Sequence, residues 1–136
     1  MCSCSKLSFS FNKNDPNFKT TEIVPQSKPY IGHWFITAPI YDKNNKQIGY
    51  KATDDYIQQV AENKYLVRYF NTYYIDGKGT ISWEFSTINQ QPNPYYPVGT
   101  VKARITSGTG DFVKVNGYVN LTSNADGRRD IVIYYK

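Results

Sequence analysis

The chain has 136 residues and a formal charge of +5. That length suits one domain with a real core rather than two. No stretch approaches the roughly 18 to 20 apolar residues of a membrane-spanning helix. Residues 1–10 carry no apolar run of signal-peptide length, so no membrane span and a cytoplasmic or otherwise intracellular location are expected. Basic residues are scattered singly apart from Arg128-Arg129. This pattern describes a mixed solvated surface rather than the dense stripe of a nucleic-acid binder.

Cys2 and Cys4 are the only cysteines. So short a loop cannot staple a domain, and the pair lacks the further ligands of a zinc site. Free thiols on a tail are expected. His33 is the only histidine, which offers one base, no triad and no metal site. No glycine loop opens a helix to cradle a phosphate. The expectation is therefore no metal and no cofactor.

Residues 1–29 are polar and broken by Pro16, Pro25 and Pro29. They read as a flexible arm that can include a first strand, because Leu7, Phe9 and Phe11 alternate. Residues 30–136 read as the domain proper. Strands are expected at 30–41, 47–60, 65–75, 80–88, 99–106, 112–122 and 130–135. The turns between them are rich in Gly, Asn and Asp, and the loop Asn89–Pro97 holds three prolines. Short turns pair sequence neighbours antiparallel. The fold class is all-β, an eight-stranded antiparallel up-and-down barrel, since closure removes exposed edges.

Alternation assigns faces. Val101, Ala103 and Ile105 should point inward. A tight turn at Gly108-Thr109-Gly110 would pair Ser107 with Asp111 and Ile105 with Val113. Val113, Val115, Val119 and Leu121 would then be inside, with Asp111 at the mouth. A turn at Gly77-Lys78 would pair Ile81 with Tyr74, Trp83 with Thr72 and Phe85 with Phe70. That register places Arg68, Phe70, Tyr74, Trp83 and Phe85 around the interior, as filling or as the wall of a site for an apolar or aromatic ligand. Arg68 would pair with Asp111 or hold an anionic head group. Asp54 and Asp55 straddle both faces of one strand, so one of them should face in. Glu84 should face out.

The run Ile105-Thr106-Ser107-Gly108-Thr109-Gly110-Asp111-Phe112, with Gly117 after it, resembles the allene oxide cyclase and dirigent barrel superfamily. Pro39-Ile40-Tyr41-Asp42, Ile48-Gly49-Tyr50 and Gly77-Lys78-Gly79-Thr80-Ile81 add to the likeness, which covers roughly residues 30–135. The resemblance implies an eight-stranded barrel, a homotrimer and an internal pocket. It places Asp111 where many dirigent proteins carry a working aspartate. The family's acidic pair is replaced by Thr37-Ala38, and a basic position by Asn116. Gly32-His33-Trp34 is also similar to the Gly-x-Trp start of lipocalins, a calycin-type barrel, but later lipocalin signals are absent.

Two functions are open at this point. One is non-enzymatic, a binder of a small apolar or aromatic ligand or an oligomeric structural module, with 89–97 as a contact loop. The other is an isomerase or cyclase acting inside the barrel, with Asp111 as the catalytic residue and Arg68 as its partner.

Overall fold

The computed structural model describes residues 4–27, 31–91 and 99–136. They form one sheet of nine strands: β1 (Ser5–Asn12), β2 (Lys19–Ser27), β3 (Ile31–Tyr41), β4 (Gln47–Ala61), β5 (Lys64–Ile75), β6 (Gly79–Asn89), β7 (Gly99–Gly108), β8 (Gly117–Ser123) and β9 (Arg128–Tyr135). All pairings are antiparallel, in the order β1-β9-β8-β7-β6-β5-β4-β3-β2. The contact of β1 with β3 at Ser10 and Tyr41 closes β1 and β3–β9 into an eight-stranded barrel. The core combines Phe9, Ile40, Val67, Ile81, Val119 and Ile133, all buried.

β1 pairs with β9 along its whole length, and Phe9 and Phe11 are buried. The Leu7–Phe11 alternation thus belongs to a barrel strand. β2 was not expected. Thr20, Thr21, Ile23 and Val24 are β-branched, which favours a strand. Yet Lys19–Val24 is exposed on both faces, so no burial period marks it in the sequence. β2 lies along the N-terminal half of β3, in line with β1, which touches β3 only at Tyr41.

Among the described residues, the two ladders that close the barrel lie at one end. Among the described residues, the β6–β7 ladder holds at Ile81–Trp83 against Ile105–Gly108 and then stops. Ile40, Gly49, Ile75 and Gly79 stand opposite one another across β3 to β6. Both narrow junctions therefore lie at the same end. Phe112 plugs that region, 2% exposed, with its ring edge-on to Tyr135 at 5.7 Å.

Two expected registers differ. The β5–β6 turn is Asp76-Gly77-Lys78, with Ile75 opposite Gly79. Gly77 adopts a φ of 72°, which glycine takes without a Cβ penalty. One residue more in the turn slides the pairing by one, so Ile81 faces Tyr73 and Phe85 faces Tyr69. A one-residue slip exchanges faces: Tyr69, Asn71 and Tyr73 are buried, while Arg68, Phe70 and Tyr74 face out.

The second difference is the β7–β8 connection. It is no tight hairpin but a longer excursion through a 3-10 turn at Gly110–Phe112, with Lys114 at a φ of 64°. Ala103 pairs with Val119 and Val101 with Leu121. Val113 is 60% exposed, and Phe112 enters the core instead. Val101, Ile105, Val119 and Leu121 are buried as expected. Cys4 is disulfide-bonded, not a free thiol. Residues 92–97 of the Asn89–Pro97 loop, and Cys2, lie outside the described residues.

A Cβ added to Gly117 would overlap the carbonyl oxygen of Tyr134 on β9. Overpacking against backbone has no rotamer to relieve it. Gly117→Ala should lower unfolding stability by about 2 kcal/mol or more, read from the midpoint of urea unfolding. An unchanged midpoint contradicts this close approach.

Candidate functional site

The alternation of β4 sends Lys51, Thr53, Asp55 and Ile57 into the barrel. Their exposures are 3%, 1%, 2% and 1%. The register sets Lys51 between Ala38 and Tyr73, Thr53 between Ile36 and Asn71, and Asp55 between Trp34 and Tyr69. Three polar side chains in a buried column are unusual, because each costs free energy unless satisfied. Thr53 meets that demand by donating its hydroxyl to Asn71 Oδ1 at 2.9 Å. Lys51 lays its ammonium over the Phe11 ring, 4.3 Å from the centroid, with Phe18 at 6.0 Å. Such cation–π contact partly replaces lost hydration. Arg129, also buried, donates to the Gly127 carbonyl at 2.7 Å.

Asp55 differs from these. Its Oδ1 accepts no hydrogen bond from any described residue. No ion pair joins Lys51 to Asp55, so the two interact through space without touching. Burial pushes the Asp55 carboxyl up to about 7, against the pull of Lys51 and with help from the Asp54 charge. Burial also pulls the Lys51 ammonium down to about 8, which the Asp55 charge resists and Arg129 reinforces. The Tyr69 hydroxyl is raised by burial and then by Asp55, and Tyr73 by burial. A carboxyl held near neutrality can give or take a proton at physiological pH, and an unpaired oxygen is an acceptor in want of a donor.

The expected ring of site residues does not assemble. Trp83 is inside, 1% exposed, its ring 6.4 Å from that of Tyr73. It fills the core. Phe85 is inside and half-buried, stacked on Tyr69 at 6.0 Å and 25°. It follows Trp83, where β6 leaves β7. Arg68, Phe70 and Tyr74 lie on the outer face, with Phe70 and Tyr74 41% and 46% exposed. Asp111 is exposed in the 3-10 turn, its amide donating to the Lys78 carbonyl at 2.7 Å. It therefore lies away from the interior, and an Arg68–Asp111 pair does not form.

Of the two adjacent aspartates, Asp55 faces in and Asp54 out, as Glu84 does. Lys51 and Asn71 escaped the sequence reading. Tyr50, Ala52 and Tyr56 make the outer face of β4 look the more apolar, so its parity reads inverted. The Lys51–Thr53–Asp55 column becomes visible only once β5 fixes the register. The described residues contain no cluster of metal-ligating side chains and no helix long and apolar enough to cross a membrane.

Linkage fixes how stability should follow pH. The Asp55 carboxyl is raised in the fold, from 3.8 to about 7. The folded state thus binds more protons across that window, and stability falls as pH rises through it. Lys51 is lowered, from 10.5 to about 8, so the unfolded state binds more protons above about 8 and stability recovers toward pH 10. Unfolding stability should pass through a minimum near pH 7 to 8. Asp55→Leu should remove the descending limb and Lys51→Met the rising one. A profile flat from pH 4 to 10 contradicts this.

No protein-family model matches the chain, and no curated protein matches it by sequence. Solved structures do. A pyocyanin demethylase superposes with a TM-score of 0.69 at 13% identity, covering 97% of this chain and 100% of its own. A pterocarpan synthase dirigent protein gives 0.69 at 16% identity, covering 98% and 87%. An exo-specific intermolecular Diels-Alderase gives 0.66 at 13% identity, with 98% of each chain covered. At these identities the likeness is one of fold: the chain has the architecture of the allene oxide cyclase and dirigent-like barrels.

Proposed function

We propose that this barrel is a non-enzymatic binder of a small aromatic molecule bearing a hydrogen-bond donor, a phenol being the simplest case. The ligand enters at the unzipped end and stops at Asp55. The observation that carries the reading is Asp55 Oδ1, unpartnered in a side chain that is 2% exposed. A buried acceptor left open costs about 1–3 kcal/mol, and a ligand O–H would recover that energy. Trp34 and Tyr69 flank Asp55 by register, and Phe85 stacks on Tyr69, so the surroundings suit an aromatic ring. Trp83 and Tyr73 fill the zipped half, so a guest would have to make its place at the Asp55 end. Phe85 is the side chain that must move aside, and it sits beyond the last β6–β7 pairing. Fold neighbours named as a pterocarpan synthase and a Diels-Alderase support small-molecule use of such barrels.

A second reading, an isomerase or cyclase, is favoured by the Asp55 carboxyl near 7. In it Asp55, not Asp111, is the general acid or base. Asp111→Asn would then leave turnover unchanged, and Asp55→Asn would abolish it.

Calorimetry with 4-ethylphenol and its methyl ether, 4-ethylanisole, tests the binding reading. Wild type should prefer the phenol by about tenfold, the equivalent of one hydrogen bond. Asp55→Leu should erase that preference and keep the anisole affinity. It should also raise the unfolding midpoint at pH 8, because a buried charge is removed. Equal affinity of wild type for the two compounds, or a preference that survives Asp55→Leu, overturns the proposal.

A further inference from the structure

The residues expected to line the interior leave a second place to account for. Arg68 and Phe70 meet on the outer face of β3–β5, in a groove of about 520 Å³ shared with Asp54, Tyr56, Gln58 and Leu66. That volume lies in the range of small-molecule sites, roughly 300–1,000 Å³. Its wall is ordered by ring contacts. Tyr56 stacks on His33 with centroids 4.1 Å apart and planes at 13°. It also meets Phe70 edge-on at 5.7 Å and 87°.

The charges are sorted as well. Asp54 Oδ1 is 2.7 Å from His33 Nε2, so the one acid of the groove is already engaged. Arg68 stands directly across from Tyr56 and has no carboxylate partner among the described residues. Glu84 is its diagonal neighbour on β6, across from Phe70, and makes no ion pair with it. An exposed guanidinium, two packed aromatic rings and an acid already hydrogen-bonded to His33 form a surface suited to a flat anion.

We propose that this groove is a binding site for a planar aromatic carboxylate. Its ring packs against Tyr56 and Phe70, and its carboxylate takes the bidentate fork of Arg68. A second copy of the chain is the competing occupant of such a face. It would have to bring a carboxylate to Arg68; Asp54 is committed to His33, so the acid it would use is Glu84, exposed opposite Phe70. The inference rests on the outer groove alone and is independent of the Asp55 site.

The test is calorimetric titration with 2-naphthoate and with neutral 2-naphthalenemethanol. Wild type should bind the naphthoate about tenfold or more tightly than the alcohol, as expected for a charge-assisted pair. Arg68→Gln should bring the two to equal affinity, and Phe70→Ala should weaken both. Asp55→Leu should leave naphthoate binding intact, which separates this site from the interior one. Naphthoate affinity unchanged in Arg68→Gln overturns the proposal. So does sedimentation showing an oligomer that Phe70→Glu dissolves, since the face would then belong to a second copy.

Discussion

The parity of β4 governs everything else in this barrel. Its ladders to β3 and β5 run nearly unbroken from Gly49 to Gln58. The side chains cannot change face without breaking both. Lys51, Thr53 and Asp55 are therefore committed to the interior, and Tyr50, Asp54 and Tyr56 to the surface. A register chosen for apolar burial alone would have done the reverse. The barrel carries a desolvation cost at Lys51 and Asp55, and meets it unevenly. Lys51 has the Phe11 ring. Asp55 has Trp34 and Tyr69 as neighbours and an oxygen with nothing to accept. Local rules broken at a buried position tend to mark function.

Closure explains why that cost falls where it does. The ladders that complete the barrel are short and lie together, at Ser10–Tyr41 and at Ile81–Trp83. Phe112 and Tyr135 pack there, and Tyr73 and Trp83 fill the adjoining interior. Toward the other end β6 and β7 part, and β2 replaces β1 beside β3. Fewer inter-strand hydrogen bonds mean cheaper local opening. The polar column thus runs from a firmly closed end to one that can yield, with Asp55 on the yielding side.

Much of this was legible in the sequence, and what was not has physical causes. The number of barrel strands, their order and most boundaries followed from turn chemistry, and the inward sets of β7 and of Val119–Leu121 followed from alternation. The dirigent-like architecture followed from the order of the glycine turns. Faces failed where a turn hid a residue. Asp76-Gly77-Lys78 reads equally well as a two- or three-residue turn, and that single residue moved Arg68, Phe70 and Tyr74 outside. The Gly108–Asp111 segment looks like a hairpin because its glycines are turn residues. Gly110 does take a turn's positive φ, but Gly108 serves close approach, since a Cβ there would overlap the Phe112 carbonyl. β2 stayed invisible because a strand exposed on both faces has no period. Asp55 was half-legible as one of an adjacent pair, and Lys51 was not legible at all, because a buried lysine contradicts every prior a sequence supplies.

Asp55 thus stands as a buried carboxyl with an unpartnered Oδ1 at the yielding end of the barrel. The most direct measurement is the side-chain carboxyl carbon resonance of Asp55, followed by nuclear magnetic resonance through a pH titration of the native protein. The expected midpoint is near 7, falling when Phe85→Ala admits water to the site. A midpoint near 4 in the wild-type protein would mean a solvated or fully paired carboxylate, and would contradict it.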